Sequence, residues 1–328
     1  MTAPPSSDAR RSVADRFRAI FPSETITLVD GIDEIGRRFD QLTDQRPSTC
    51  GAYALSYLLP AMGFERHDGN DVAAEDYLAH LAGVVVEARE IPPSDEVGER
   101  VARGELSEGE AMDRFGSIWY RWPVRWSSDP VAQGTSPAGI ARAVELASDG
   151  RLAIVPVAGR RSDGEVLLDE ARWGAFFDLL LRNLDGWRMH AILNYESDKL
   201  LRPRPPSYSP ETIREPGAVE RLPRDDWGVG HFAGLAGLWR RANGERWLLL
   251  LDTYKDRGFE GYQPQPAELV RRGLVRTDGR GGGMLIIVER ELAAKVTAAI
   301  EALGIRPAMW SNGSPDPDDY RWEPVDPG

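Results

Sequence analysis

Apolar residues recur at helical spacing over Val13 to Phe21 and again over Ala52 to Leu59, where Pro60 marks a stop. A third helical stretch begins near Asp71 and carries Ala74, Tyr77, Leu78, Leu81 and Val85, with Pro92-Pro93 ending it. Two short helices, near Asp95 to Arg103 and Ser107 to Ile118, read as a charged helical insert. Ser136-Pro137 pairs a capping serine with a proline at the first helical position, so a helix is predicted from there through Ala147 to Gly150. Leu168 to Leu184, Pro264 to Arg272 and Glu291 to Leu303 supply the remaining helices. The apolar runs Leu152 to Val157, Met189 to Tyr195, Phe232 to Trp239, Trp247 to Asp252 and Met284 to Val288 read as strands, and Thr25 to Val29 as a short extended piece.

Helices dominate the first half and mixed strands the second, and Asn243-Gly244 is a hairpin signal between two of those strands. That order predicts an α+β fold rather than alternating α/β. The expected organisation is a leader at 1–12 and one domain over 13–304. Within that domain lie the helical insert at about 71–126 and a long, proline-rich loop at about 200–226. An acidic, proline-rich tail follows over 305–328. Solenoid-period repeats are not evident.

The formal charge of −12 argues against nonspecific nucleic-acid binding and against an anionic membrane surface. Neither a secretory leader nor a membrane span is legible, so a cytoplasmic location is expected. One cysteine in 328 residues excludes an internal disulfide framework and a cysteine-rich zinc site. Neither a metal nor a cofactor is expected, and the oligomeric state stays open. Arginine supplies nearly all the cations, with lysine only at 199, 255 and 295. That bias fits either a reader of acidic ligands or a GC-rich coding sequence. Trp119, Trp122 and Trp126 around Tyr120 read as a packed corner, or else a groove wall.

The single cysteine, Cys50, falls at the start of the helix that begins at Ala52, after Pro47 and two capping candidates, Ser48 and Thr49. A thiol there meets unpaired N–H groups and the positive end of the helix dipole, both of which favour the nucleophilic thiolate. His231 opens one strand after Gly228 and Gly230, and Asp252 ends the strand that the Asn243-Gly244 hairpin pairs with it. In an antiparallel pair the start of one strand lies beside the end of the next, so His231 and Asp252 belong at one edge. A base and an orienting carboxylate there suit thiol catalysis. His67 beside Asp68 and Asn70 reads as a solvated turn, while His80 and His190 read as structural.

Gln45 to Leu59 and Gly230 to about Val288 together resemble the papain-like cysteine peptidases, above all the bacterial branch that includes double-glycine leader peptidases. The resemblance implies a papain-like fold, with an N-terminal helical layer whose Cys helix packs on an antiparallel sheet. It also implies Cys50 as nucleophile, His231 as base, Asp252 as orienter and Gln45 as oxyanion donor. The substrate would be a peptide or acyl amide, cleaved or transferred through a thioester. The alternative is an inactive papain-like scaffold that binds a peptide or protein partner. Gln45 stands five residues before the cysteine where six is usual, and Thr253 replaces a frequent proline.

Overall fold

In the computed structural model the described residues are 12–21, 24–87, 94–107, 110–111, 114, 120–201 and 228–324. The N-terminal half runs α1 (Val13–Ile20), β1 (Thr27–Leu28), α2 (Ile32–Gln41), α3 (Cys50–Ala61), β2 (Arg66–His67), β3 (Asn70–Asp71), α4 (Glu75–Leu81), β4 (Val85–Glu87), α5 (Ser94–Ala102), β5 (Arg125–Ser127) and α6 (Pro137–Ala147). The remainder runs β6 (Leu152–Ala158), α7 (Glu170–Asn183), β7 (His190–Glu196), β8 (Gly230–Arg240), β9 (Arg246–Leu251), β10 (Tyr262–Pro266), α8 (Ala267–Val275), β11 (Gly283–Glu289) and α9 (Arg290–Glu301).

Seven strands form one sheet in the order β10-β9-β8-β7-β11-β6, with β1 added on β8, and every pairing is antiparallel. The N-terminal helices pack against this sheet, which makes the fold α+β. Helix α3 lies on β8 and β7 and is covered in turn by α2, α4 and α6. Being enclosed on all sides, it is apolar all round: Gly51 through Pro60 are buried. Its first residue, Cys50, thereby sits at the inner end of a rigid element.

The capped helix at Pro137 forms as predicted, with Ser136 Oγ accepting from Gly139 N–H at 2.9 Å. The Asn243-Gly244 turn joins β8 to β9, and a bulge at Ala236 shifts the register between Leu235 and Gly237.

Four expectations need correction. Helix α4 stops at Leu81 instead of reaching Val85, because Gly83 takes φ 60° and the N–H groups of Gly83 and Val84 turn back to His80 and Ala79. Val85 then enters β4, which pairs in parallel with β5. Helix α3 runs through Pro60 to Ala61, since a proline in the last turn interrupts little that follows. The helix expected from Pro264 is a strand, β10, followed by α8 from Ala267. Pro264 pairs opposite Leu249 at the sheet edge, where a missing N–H breaks no ladder. Finally, α2 forms where no helix is expected, with Ile32, Ile35 and Phe39 buried at helical spacing.

The 305–328 tail is packed over its described part. Trp310 is buried and donates its indole N–H to Asn194 Oδ1 at 3.2 Å, and Trp322 donates to the Ile154 carbonyl at 3.1 Å. Residues 1–11 of the leader, 202–227 of the long loop, and 88–93 with most of 108–119 in the insert lie outside the described residues. Trp119 is among the latter. Tyr120 is buried with Trp126 edge-on to it at 6.3 Å, and Trp122 packs against Tyr77 at 5.0 Å, so this aromatic group is a packed corner.

Candidate functional site

The approach to Cys50 is held by a buried carboxylate. Glu75 accepts from the Arg46 N–H at 3.0 Å and meets the Thr49 hydroxyl, while Thr49 Oγ1 also lies 2.7 Å from the Arg46 carbonyl. Burial pushes Glu75 up to about 7, against the pull of the Thr49 hydroxyl, the Arg46 N–H and the Arg46 charge. The Arg46 guanidinium lies over the Tyr120 ring at 5.0 Å, and Ser48 takes φ 65°. With Thr49 so engaged, neither it nor Ser48 caps α3 as expected. The N–H groups of the first turn are left to face the thiol.

Cys50 is partly exposed and lines a cleft of about 260 Å³ with Gln45, Thr135, His231, Phe232 and Tyr254. Burial is the main influence on its thiol and pushes it up to about 11. The N–H groups of Phe232 and Gly51 pull the other way, and the charge of Asp252 adds to the rise. The thiolate-favouring effect of a helix start is thus present and is outweighed by desolvation. The resting group is a neutral thiol.

His231 and Asp252 meet as the hairpin argument requires. His231 Nε2 lies 2.9 Å from Asp252 Oδ1, with the two residues 2 % and 0 % exposed. An ionised carboxylate only accepts, so Nε2 carries the proton of this contact and Nδ1 is the basic nitrogen. The Tyr254 N–H donates to the same oxygen at 3.0 Å, and Gln263 Nε2 donates to the other oxygen. The Tyr254 ring stacks on the imidazole at 5.5 Å, and Tyr195 meets it edge-on at 5.7 Å. The ring is therefore fixed in tautomer and in plane.

Gln45 is at the cleft, but its amide Nε2 donates to the Arg46 carbonyl at 3.1 Å, while its Oε1 is buried without a partner. His67 Nδ1 contacts the Tyr77 hydroxyl at 2.6 Å, His80 Nδ1 contacts the Pro123 carbonyl at 2.8 Å, and burial holds His190 down to about 4. None of these three lines the cleft. Among the described residues no group of three or more His, Cys, Asp or Glu is arranged to hold a metal ion.

Sequence reasoning passed over Gln263, Tyr254 and Thr135. Gln263 had a signal: it alternates with Gln265 in Tyr262–Pro266, polar positions on a run otherwise suited to burial, and both prove buried. Thr135 is buried, and its hydroxyl points into the protein unpartnered beside the cleft. Nothing in its local pattern marks it.

The chain belongs to a family of unknown function, DUF6885, whose sequence profile matches residues 29–311 and so spans α2 to the Trp310 strap. No protein of curated function matches it. Among the described residues no helix is long and apolar enough to cross a membrane.

Proposed function

We propose that this protein is a papain-like thiol enzyme that cleaves or transfers the acyl group of a peptide or acyl amide. The observation that carries the reading is the buried His231–Asp252 contact on the wall of the cleft that holds the lone cysteine. Cys50 Sγ attacks the carbonyl carbon as its proton passes to His231 Nδ1, while Asp252 stabilises the imidazolium that forms. The first-turn N–H groups of α3 face the developing oxyanion. The C–N bond then breaks, and the amine departs with the proton from His231. Water, or an acceptor amine or alcohol, resolves the thioester with His231 as base, regenerating the thiol.

Because burial keeps the resting thiol protonated, its proton passes to the ring as the sulfur attacks, and the contact between the two groups tightens as substrate enters. Gln45 lines the same cleft, and its Nε2 keeps a second hydrogen for the oxyanion beside the one given to the Arg46 carbonyl. A free thiol nucleophile suits a reducing compartment such as the cytoplasm.

One observation favours the scaffold reading instead: the raised thiol is what a bystander cysteine would have. A peptide vinyl sulfone probe separates the two, with adducts located by mass spectrometry. We expect the adduct at Cys50, its loss in Cys50→Ser, and at least 100-fold slower labelling in His231→Ala, within the range for general acid–base help. Equal labelling rates for the wild type and His231→Ala would leave the scaffold reading standing.

A further inference from the structure

Beside the cleft lies a second, larger cavity of about 740 Å³ whose walls carry Arg160, Arg161, Arg276, Arg280 and Trp310. Arg280 lines both cavities, and the segment 311–314 contributes alternately to each, so the two are neighbours. Resting on the acyl-transfer reading above, we propose that this cavity is an anion subsite. It receives a carboxylate or phosphate group of the substrate whose carbonyl sits at Cys50.

Arg276 carries the argument. It is 2 % exposed, and its Nη1 is buried without a hydrogen-bond partner. Asp278 takes Nε at 3.0 Å and Nη2, which leaves one edge of the guanidinium unanswered. A buried N–H group with no acceptor is costly and uncommon, and points to a missing acceptor. Two glycines clear the way for this side chain. A Cβ at Gly230 would lie 2.6 Å from Nη1, and one at Gly282 would lie 3.0 Å from Cδ. Gly230 directly precedes His231 and lines the cleft, so the orphan donor stands next to the candidate base. Arg276 itself is held at φ 45°, a backbone conformation that an arginine adopts only under constraint.

Two further donors converge. Arg160 Nε is buried without a partner, its Nη1 reaching only the Gly164 carbonyl at 3.3 Å. The Arg280 guanidinium makes no hydrogen bond or ion pair among the described residues. Arg161, by contrast, is neutralised by Asp163 at 3.4 Å and Glu165 at 3.7 Å, and Asp316 adds a carboxylate to the lining. The site is thus built on oriented, unanswered guanidinium N–H groups and not on net positive charge. Planar forks of this kind match the two oxygens of a carboxylate or phosphate. Four glycines, Gly164, Gly279, Gly281 and Gly313, contribute no side chain to the lining.

The test uses full-length Cys50→Ser protein, in which no turnover consumes the probe, titrated calorimetrically with the α-methylamides of N-acetyl-glutamate, N-acetyl-glutamine and N-acetyl-O-phosphoserine, so that the side chain alone carries charge. We expect both anions to bind at least ten-fold more tightly than the neutral amide, with affinity falling as salt rises. The tighter of the two names the substrate group as carboxylate or phosphate. Arg280→Gln, at a partly exposed position, should weaken the anions at least ten-fold and leave the amide unchanged. Arg276→Lys, which keeps a charge for Asp278 but loses the fork, should do the same. Equal affinity for acid and amide, or anion binding untouched by Arg280→Gln in folded protein, overturns the subsite. Intact anion binding with no adduct at Cys50 would sink the acyl-transfer reading alone.

Discussion

Gln263 donates its side-chain amide to the Asp252 oxygen that faces away from His231. Both residues are buried, and behind them Gln265 Nε2 reaches Gln263 Oε1 at 3.3 Å while its own Oε1 accepts the Leu201 N–H at 2.9 Å. The carboxylate that orients the imidazole is itself anchored by a buried amide relay.

Gln263→Leu should therefore take one hydrogen bond from a buried carboxylate. A loss of about 1–3 kcal/mol is expected, read from the urea midpoint. Asp252→Asn should cost less than Asp252→Ala, because Gln263 can turn its amide over to meet the new N–H₂ group. Equal stabilities for Asn and Ala would mean that the relay contributes nothing.

The Cys50 thiol gives a pH test. Its proton leaves near 9.0 in an unperturbed chain and near about 11 in the fold. Between those values the folded state holds a proton that the unfolded state has lost, so stability falls as pH rises across that window and is undiminished below it. Cys50→Ser should flatten this part of the stability profile. In the folded wild type, iodoacetamide labelling should keep accelerating toward pH 11. A plateau near neutrality would show a stabilised thiolate instead.

Glu75 makes the same kind of contribution at lower pH. Its folded value of about 7 stands above the ordinary 4.5, so the stability it confers is full below 4.5 and is lost as pH rises through 7. Glu75→Gln should remove that slope, seen as the difference in melting temperature between variant and wild type from pH 4 to 8. Because Glu75 holds the Arg46 and Thr49 approach to Cys50, the variant should also alter labelling of the thiol.

His190 acts in the opposite sense. Burial lowers it from 6.5 to about 4, so its stabilising contribution is full above 6.5 and is lost as pH falls through 4. Its Nδ1 has no partner, so His190→Leu gives up no hydrogen bond there. That variant should be more acid-resistant than the wild type, with the gain appearing only below about pH 6.5. A uniform shift at all pH values would assign the effect to packing.

The hairpin was legible because Asn243-Gly244 dictates a local turn, and the turn alone brings His231 beside Asp252. The helix start at Cys50 was legible for the same local reason. What escaped was set by distant partners. Pro264 and Pro266 look like punctuation until β9 and the open edge beyond β10 are known, so β10 was read as a helix. Thr49 looks like a cap until Glu75, a residue of another helix, claims its hydroxyl. The thiol follows the same logic: the dipole is written in the helix, but the burial that outweighs it is set by packing that no local pattern records.

The C-terminal strap that completes the cleft with Asn312 and Ser314 also sets a timetable. At synthesis rates of about 5–20 residues per second, the ribosome reaches those residues roughly 10–50 s after it has placed Cys50. Throughout that interval the thiol helix exists with one wall of its cleft still unmade. A nascent chain thus meets cellular oxidants with its single thiol less sheltered than it will ever be again, and with no second cysteine that thiol cannot be shielded by an internal disulfide.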